Sequence, residues 1–443
     1  MKKKDEKVYV GIPVPLIVII VIFLEIFAVS GIKSYDVKKY GDRFDEQSTS
    51  ASTTEDGNSD TTHDKTEIAT EEPSTDKEDS KSNDLSVKDG LQHKKKEAWN
   101  RPETCSTIEE CSEIVNEYIL SGSDDKLEIE TVGVSEEDIK SIASEYMTQT
   151  FGWPKSYKLT SVKNSDEKKL TMEIEYEESY YVYRYVVYGD EIPRKEKRAL
   201  KLYNEIDKML KEVDLASMSD YQKELYFHDY IIKYAEYDHD AAKSESRTDA
   251  HSAYGVFVNR KGVCDGYTRA MGLLMSIAGI DNYYVDGDAY STTVDGVYNE
   301  GGPHAWNMVK IEDNWYLLDA TWDDGKEDVV NYSYFNVNDE IINSSRATSH
   351  RELYPECTSL QMNYYVKNNM CFDTFEDYKN YVSSYAGSTD RTEIKAMVLD
   401  YSEEKYDFSE IQKLLDIPNM RYLVDRLSDN YVEITLYLSL IHI

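Results

Sequence analysis

A chain of 443 residues with 85 acidic and 50 basic side chains carries a formal charge of −35 and an isoelectric point near 4.6. That balance excludes a general nucleic-acid binder, which needs clustered lysine and arginine to neutralise phosphates. The length fits two or three domains, and 40% hydrophobic residues suffice for a buried core, so global disorder is excluded as well.

Residues 2–7 read Lys-Lys-Lys-Asp-Glu-Lys, and an apolar run from Val8 to Val29, broken only by Glu25, follows. Its length suits a bilayer span with the lysines on the cytoplasmic side. Ala28-Val29-Ser30 also has the small-x-small pattern of a signal-peptide cleavage site. Residues 1–40 are therefore expected to be a transmembrane anchor or a signal peptide, the retained anchor being favoured. The expected location is the cell membrane, single-pass, with the remainder outside the cytoplasm, or secreted if the segment is cleaved. Residues 41–93 hold 16 Ser/Thr, 15 acids and 5 bases. Such a stretch cannot bury enough surface to offset its chain entropy, so 41–100 reads as a disordered spacer.

Residues 101–192 read as a small α+β domain. Lys126–Val132 and Tyr157–Lys163 alternate like strands, and Ser135–Thr150 has helical spacing. The Tyr- and Val-rich stretch Leu170–Val187 is expected to be two strands or one long edge strand. Helices are predicted over Lys195–Val213 and Ser219–Tyr237, opening a domain assigned to 193–345. A C-terminal α/β accessory region, 346–443, follows, with helices over Thr374–Tyr385 and Phe408–Leu415 and strands over Ile394–Leu399 and Tyr431–Leu438. It carries no motif for chemistry. The abrupt Leu438-Ser-Leu-Ile-His-Ile443 reads as a truncated or mis-read end.

The five cysteines fall as Cys105 with Cys111, Cys357 with Cys371, and Cys264 alone. Either pair can form a disulfide, and spacing does not decide it; the odd cysteine marks a candidate reactive thiol. Without a CxxC and with scattered histidines, no zinc site is expected, and no cofactor at all.

Cys264 stands in Lys261-Gly-Val-Cys-Asp-Gly-Tyr-Thr-Arg-Ala270, where a helix pattern begins. The unpaired N–H groups and dipole of a helix start stabilise a thiolate. Two predicted strands follow, around His304 and up to Asp319, joined near Glu312-Asp313-Asn314. Cys, His and Asp thus arrive on three consecutive elements, the arrangement of a nucleophile, a base and its orienter. Register tests the idea. A Glu312-Asp313 turn sets Asp319 opposite Trp306 and diagonal to His304, within reach. An Asp313-Asn314 turn sets it opposite Met308, about 13 Å from His304 along the strand.

The residues Tyr254-Gly255, Gly262-Val-Cys-Asp-Gly-Tyr267, His304-Ala-Trp-Asn307, Trp315-Tyr316 and Asp319-Ala-Thr-Trp322 make the stretch from about Ser219 to Asn338 resemble the transglutaminase-like superfamily. Tyr334-Phe-Asn-Val337 is similar to that family's closing strand. The resemblance does not extend to residues 41–190 or beyond about 360. It implies an α+β, papain-like core, a nucleophile helix packed on an antiparallel sheet, with small α+β flanking regions. It implies catalytic Cys264, His304 and Asp319, with a thioester acyl-enzyme passed to water by a peptidase or amidase. The alternatives are a cross-linking transglutaminase and a non-catalytic surface or wall-binding protein.

The Cys264 N–H is a plausible oxyanion donor, and Tyr254 a second candidate. Asp265 is expected to cap the Cys264 helix. His228 and His251 are expected to be structural or solvated, and Asp323–Asp328 a solvated loop rather than a calcium site. Residues 238–340 hold 19 acids and 7 bases. An acidic surface attracts cations, so the expected partner is a cationic protein, peptide or cell-wall peptide, with the membrane as a second partner through the N-terminal segment.

Overall fold

A computed structural model describes residues 6–11, 103–121, 127–134, 153–164, 167–244, 246–290, 302–325, 329–387, 393–417 and 420–438. In the N-terminal part, β1 (Glu6–Gly11), β2 (Glu103–Cys105), β3 (Leu127–Val132), β4 (Pro154–Asn164) and β5 (Glu167–Tyr176) form one sheet in the order β1-β4-β5-β3-β2. Helix α1 (Ile108–Ser121) follows β2, and a Cys105–Cys111 disulfide ties the two together.

The N-terminal expectation is corrected here. Among the described residues no helix is long and apolar enough to cross a membrane. The first residues of the apolar run, Val8–Gly11, lie in β1 and pair antiparallel with Lys158–Thr160 and Tyr157 of β4. The local chemistry is strand-like: β-branched Val8 and Val10 alternate with Lys7 and Tyr9. The single-pass cell-membrane location therefore falls. Residues 12–100, with the rest of the apolar run, the cleavage-like motif and the spacer, lie outside the described residues. So do the predicted helix 135–150 and the terminal residues 439–443.

A second correction concerns Leu170–Val187. Only its first part is strand; Glu178–Tyr188 is a helix, α2, closed by Gly189 in the left-handed conformation at φ 74°. Tyrosine and valine favour strands, but the buried residues Tyr180, Tyr183 and Val187 recur at helical spacing, and packing overrides propensity. Helices α3 (Lys197–Leu210) and α4 (Asp220–Tyr234) come next. Ser219 starts α4 with a reciprocal capping box, its hydroxyl accepting from Gln222 N–H and the Gln222 side chain accepting from Ser219 N–H.

The short parallel strands β6 (Glu236–Tyr237) and β7 (Lys261–Gly262) lead into α5 (Cys264–Ile277). Strands β8 (Asn282–Ala289), β9 (Gly302–Ile311), β10 (Asn314–Leu318) and β11 (Arg346–Thr348) form an antiparallel sheet in the order β10-β9-β8-β11. This mixed helix-and-sheet core, with α5 against β8 and β9, is an α+β, papain-like arrangement. The four-residue helix α6 (Ala320–Asp323) follows β10. Residues Tyr334–Val337 make a bridge rather than a strand: Leu317 and Val337 exchange both backbone hydrogen bonds, at 2.9 and 2.8 Å. Strands β12 (Cys371–Phe372), β13 (Glu393–Leu399), β14 (Arg421–Arg426) and β15 (Tyr431–Tyr437) form the last sheet, in the order β12-β13-β15-β14, with α7 (Phe375–Ser383) and α8 (Phe408–Leu415).

Strand pairing continues past residue 345, because β11 belongs to the sheet that carries His304. One apolar cluster holds Val285, Trp306 and Met308 from that sheet together with Tyr365, Met397 and Leu427 from the C-terminal region. Gly287 permits β11 to lie so close. A Cβ there would stand 2.0 Å from the Ala347 carbonyl oxygen and 2.9 Å from the Trp306 ring. Gly287→Ala is expected to destabilise the protein by about 1–3 kcal/mol, the usual cost of overpacking, read as a lower midpoint in denaturant.

Candidate active site

Cys264 is the first residue of α5, behind the N-cap Val263. Val263 N–H donates to the Ala250 carbonyl at 3.0 Å, and a Cβ on Gly266 would lie 2.2 Å from that same oxygen. Gly266 thus lets the first turn of α5 press against Ala250, which fixes where the thiol stands. The Cys264 N–H has no acceptor within the helix and points out of its start. The thiol itself is half-buried and unpaired in any disulfide.

Pairing of Asn314 with Ile311 and Leu318 with Asn307 leaves Glu312-Asp313 as the β9–β10 turn, with Glu312 at φ 55°. The first of the two registers considered above is therefore the observed one, and Asp319 follows β10 at the level of Trp306. His304 Nε2 meets Asp319 Oδ2 at 2.7 Å. With Nε2 committed to the carboxylate, Nδ1 is the nitrogen left to face the Cys264 thiol, which acts electrostatically on the ring. The ring is held between Trp306 and Trp322, with centroids 5.9 and 5.8 Å away. Of the three sequence-predicted residues, His304 and Asp319 are in direct contact, and Cys264 stands at the start of the helix packed on the His304 strand.

Asp319 is fully buried and saturated. Its Oδ1 accepts from Thr321 N–H at 3.1 Å and Trp322 N–H at 3.2 Å, so it caps α6. Its backbone N–H donates to the Tyr334 carbonyl at 3.1 Å. Arg346, not anticipated from the sequence, donates to Oδ2 from Nε at 3.0 Å and from Nη2 at 2.5 Å. Burial alone would raise the Asp319 carboxyl, but the His304 and Arg346 charges outweigh it and hold it well below the usual carboxylate range. For His304, burial opposes the charged form, yet Asp319 and Cys264 pull it up to about 9.

On the other face of β9, Asn307 Nδ2 donates to the Thr268 carbonyl at 3.0 Å, tying the His304 strand to the Cys264 helix. Thr268 Oγ1 in turn donates to the Cys264 carbonyl at 2.8 Å. Asp265 is not the helix cap. It is buried and accepts from Arg269 Nε at 2.6 Å and the Tyr284 hydroxyl at 2.9 Å. Tyr254 lies under the Arg198 guanidinium, 3.8 Å from the ring centre, so it is engaged elsewhere. Tyr237, on β6, is electrostatically linked to both Cys264 and Asp319. No motif marked it, but β6 pairs with the residues just before Cys264, and that adjacency is the missed signal.

Two further expectations change. Cys357 and Cys371 are free, and burial pushes their thiols up to about 12 and about 11, so neither is poised to react. Asp323 is no part of a solvated loop. It is fully buried on α6, with Oδ2 3.3 Å from His228 Nε2 and Oδ1 accepting from Tyr334 N–H at 3.0 Å. Asp324 accepts from the Tyr267 hydroxyl at 2.5 Å. Residues 326–328 of that run lie outside the described residues. Among the described residues no group of three or more His, Cys, Asp or Glu side chains is placed to hold a metal.

The transglutaminase-like superfamily model matches residues 207–320, the segment that carries α4 through Asp319. Residues 207–320 are a transglutaminase-like domain. The kyphoscoliosis peptidases of mouse and human are each 31% identical to this chain over 107 residues, 23% of its length. That stretch spans 15% of the relatives' own length. A crystal structure of a TGase overlaps 46% of this chain and 52% of its own, at 17% identity and a TM-score of 0.23. The periplasmic domain of TgpA from Pseudomonas aeruginosa overlaps 38% and 69%, at 15% identity and a TM-score of 0.21. Overlaps that weak carry no argument.

His228 holds α6, and with it Asp319, in place. Burial opposes its charge, but Asp229 and Asp323 pull it up to about 9 from 6.5. A histidine raised on folding stabilises fully below its unfolded value, and the contribution is lost as pH rises through the folded one. Stability should therefore decline between pH 6.5 and about 9. His228→Ala should cost about 3–5 kcal/mol near neutrality by leaving Asp323 unpaired. Denaturant midpoints across pH check both, and a His228→Gln profile as steep as the parent's over that range would contradict the assignment.

Proposed function

We propose that the protein is a cysteine acyl-transfer enzyme acting on amide bonds in proteins or peptides, hydrolytic in its main activity. Members of the transglutaminase-like superfamily are in general cysteine-based enzymes. The observation that carries the reading is the convergence of Cys264 at a helix start, His304 on β9 and the buried Asp319 carboxylate, 2.7 Å from the imidazole.

In this reading the Cys264 thiolate attacks the amide carbonyl carbon. The oxyanion forms against the Cys264 N–H. His304, as imidazolium, protonates the nitrogen as the C–N bond breaks, and an amine leaves. The thioester that remains is attacked by water, one of whose protons His304 accepts; the C–S bond breaks, releasing the acid and regenerating the thiolate and the imidazolium. Attack by an amine instead would give a cross-link. Asp319 orients the ring and stabilises its charged form.

Cys264→Ala should abolish covalent labelling by a thiol-reactive amide mimic, and His304→Ala should lower turnover by roughly 10³-fold or more. Undiminished labelling of the Cys264→Ala protein would sink the assignment. Mass spectrometry of products made with and without an added primary amine separates hydrolysis from cross-linking.

The acidic surroundings favour cationic substrates. Lys- or Arg-rich peptides should be processed with higher kcat/KM than their acidic counterparts, and the advantage should shrink as salt rises. Indifference to both variables would refute the preference.

A further inference from the structure

Arg346 is the strongest unexplained feature of the site. Its side chain is fully buried, as is that of Asp319. The guanidinium lies between two rings, 3.9 Å from the centre of Trp322 and 4.1 Å from that of Tyr334, and Nη1 donates to Ser345 Oγ at 2.7 Å. Stacking and a two-nitrogen grip on one carboxylate oxygen are geometries that lysine cannot reproduce.

Register explains how a residue 27 positions beyond Asp319 arrives there. Arg346 pairs with Ala289, and Ala289 with Gly302; Thr348 pairs with Gly287, and Gly287 with His304. Arg346 and His304 thus sit in neighbouring rows on one face of the sheet, and the β8 and β9 positions beside them in those rows are Ala289, Gly302 and Gly287. The gap leaves room for the long side chain.

The chemistry gives the arrangement a purpose. In the proposed reaction His304 gives its proton to the departing amine and becomes neutral. Asp319 would then be a buried carboxylate without a counter-ion, which is costly, so the proton would tend to stay on His304. A second cation on the same carboxylate removes that obstacle. The charged and titratable groups facing the pair are Cys264 on α5, Tyr237 on β6, Asp323 on α6, Tyr334 in the bridging segment and Arg346 on β11. Of these, Arg346 alone is a cationic side chain.

We propose that Arg346 is a positioning residue acting through Asp319: a permanent counter-charge that keeps the carboxylate ionised and oriented while His304 releases its proton. The proposal rests on the acyl-transfer reading above.

The test is the titration of His304 by NMR in labelled protein, with amide turnover and Cys264 alkylation measured alongside. In Arg346→Met, Asp319 answers to His304 alone, so the imidazolium should persist to a pH higher by about one unit. Alkylation of Cys264 should then extend to higher pH, while kcat for amides falls by 10-fold or more with KM little changed. Arg346→Lys keeps the charge and loses the stack, so His304 should titrate within about 0.3 pH unit of the parent. If Arg346→Met does not fold, Arg346→Gln takes its place, and the lysine variant stands by itself: a large shift there would assign the effect to stacking and overturn the proposal. An unmoved or lowered His304 titration in the Met or Gln variant also overturns it, whatever the state of Cys264. The expected shift together with a Cys264 that no probe labels would overturn the acyl-transfer reading instead.

Discussion

One carboxylate oxygen, Asp319 Oδ2, receives the His304 imidazole and two nitrogens of Arg346, all inside the protein. A charge in that position is tolerated only when it is matched on every side. The neighbouring structure meets that requirement. The other oxygen caps α6, the backbone N–H is taken by Tyr334, and α6 is held from behind by His228 through Asp323. The β9–β10 turn, the Leu317–Val337 bridge and β11 each deliver one of these partners.

Behind α4 a second buried pair shows the same logic with a different outcome. Asn336, at φ 53°, donates from Nδ2 to Glu224 Oε2 at 2.7 Å, and both residues are fully buried. Burial pushes the Glu224 carboxyl up to about 8, and the Asn336 amide and the charge of His228 offset it only in part. Two acids on adjoining elements thus shift in opposite directions. Cationic partners make the difference, as Asp319 has them and Glu224 has only a nearby histidine.

Much of the site was legible in the sequence because it depends on short-range rules. Cys264 opens a helix, and parity puts Asp319 on the face of His304 in either β9–β10 register, although the sequence left the choice between the two registers open. The helix α8 over Phe408–Leu415 and the strands β13 and β15 show plain periodicities. Other features rest on interactions that local pattern does not carry. Arg346 sits on a three-residue edge strand with no periodicity, and its partners come from elements well apart in sequence. Asp265 has the look of a helix-start acid but turns inward to Arg269, one turn along the same face. In α2 the Tyr and Val content spoke for a strand, while Trp153, 4.4 Å from Tyr183 between ring centres, supplied the burial that made a helix.

The apolar cluster that joins Trp306 to Met397 and Leu427 has a consequence for how the molecule opens. Trp306 flanks the His304 ring, so the wall of the site and the C-terminal sheet are parts of one packed unit. Regions that share a core tend to exchange their amide protons together, as a single cooperative block. The C-terminal region, which contributes no reacting group, thereby sets the free energy of the fluctuation that would let water reach the imidazole from behind. Its influence on the site is felt as rigidity.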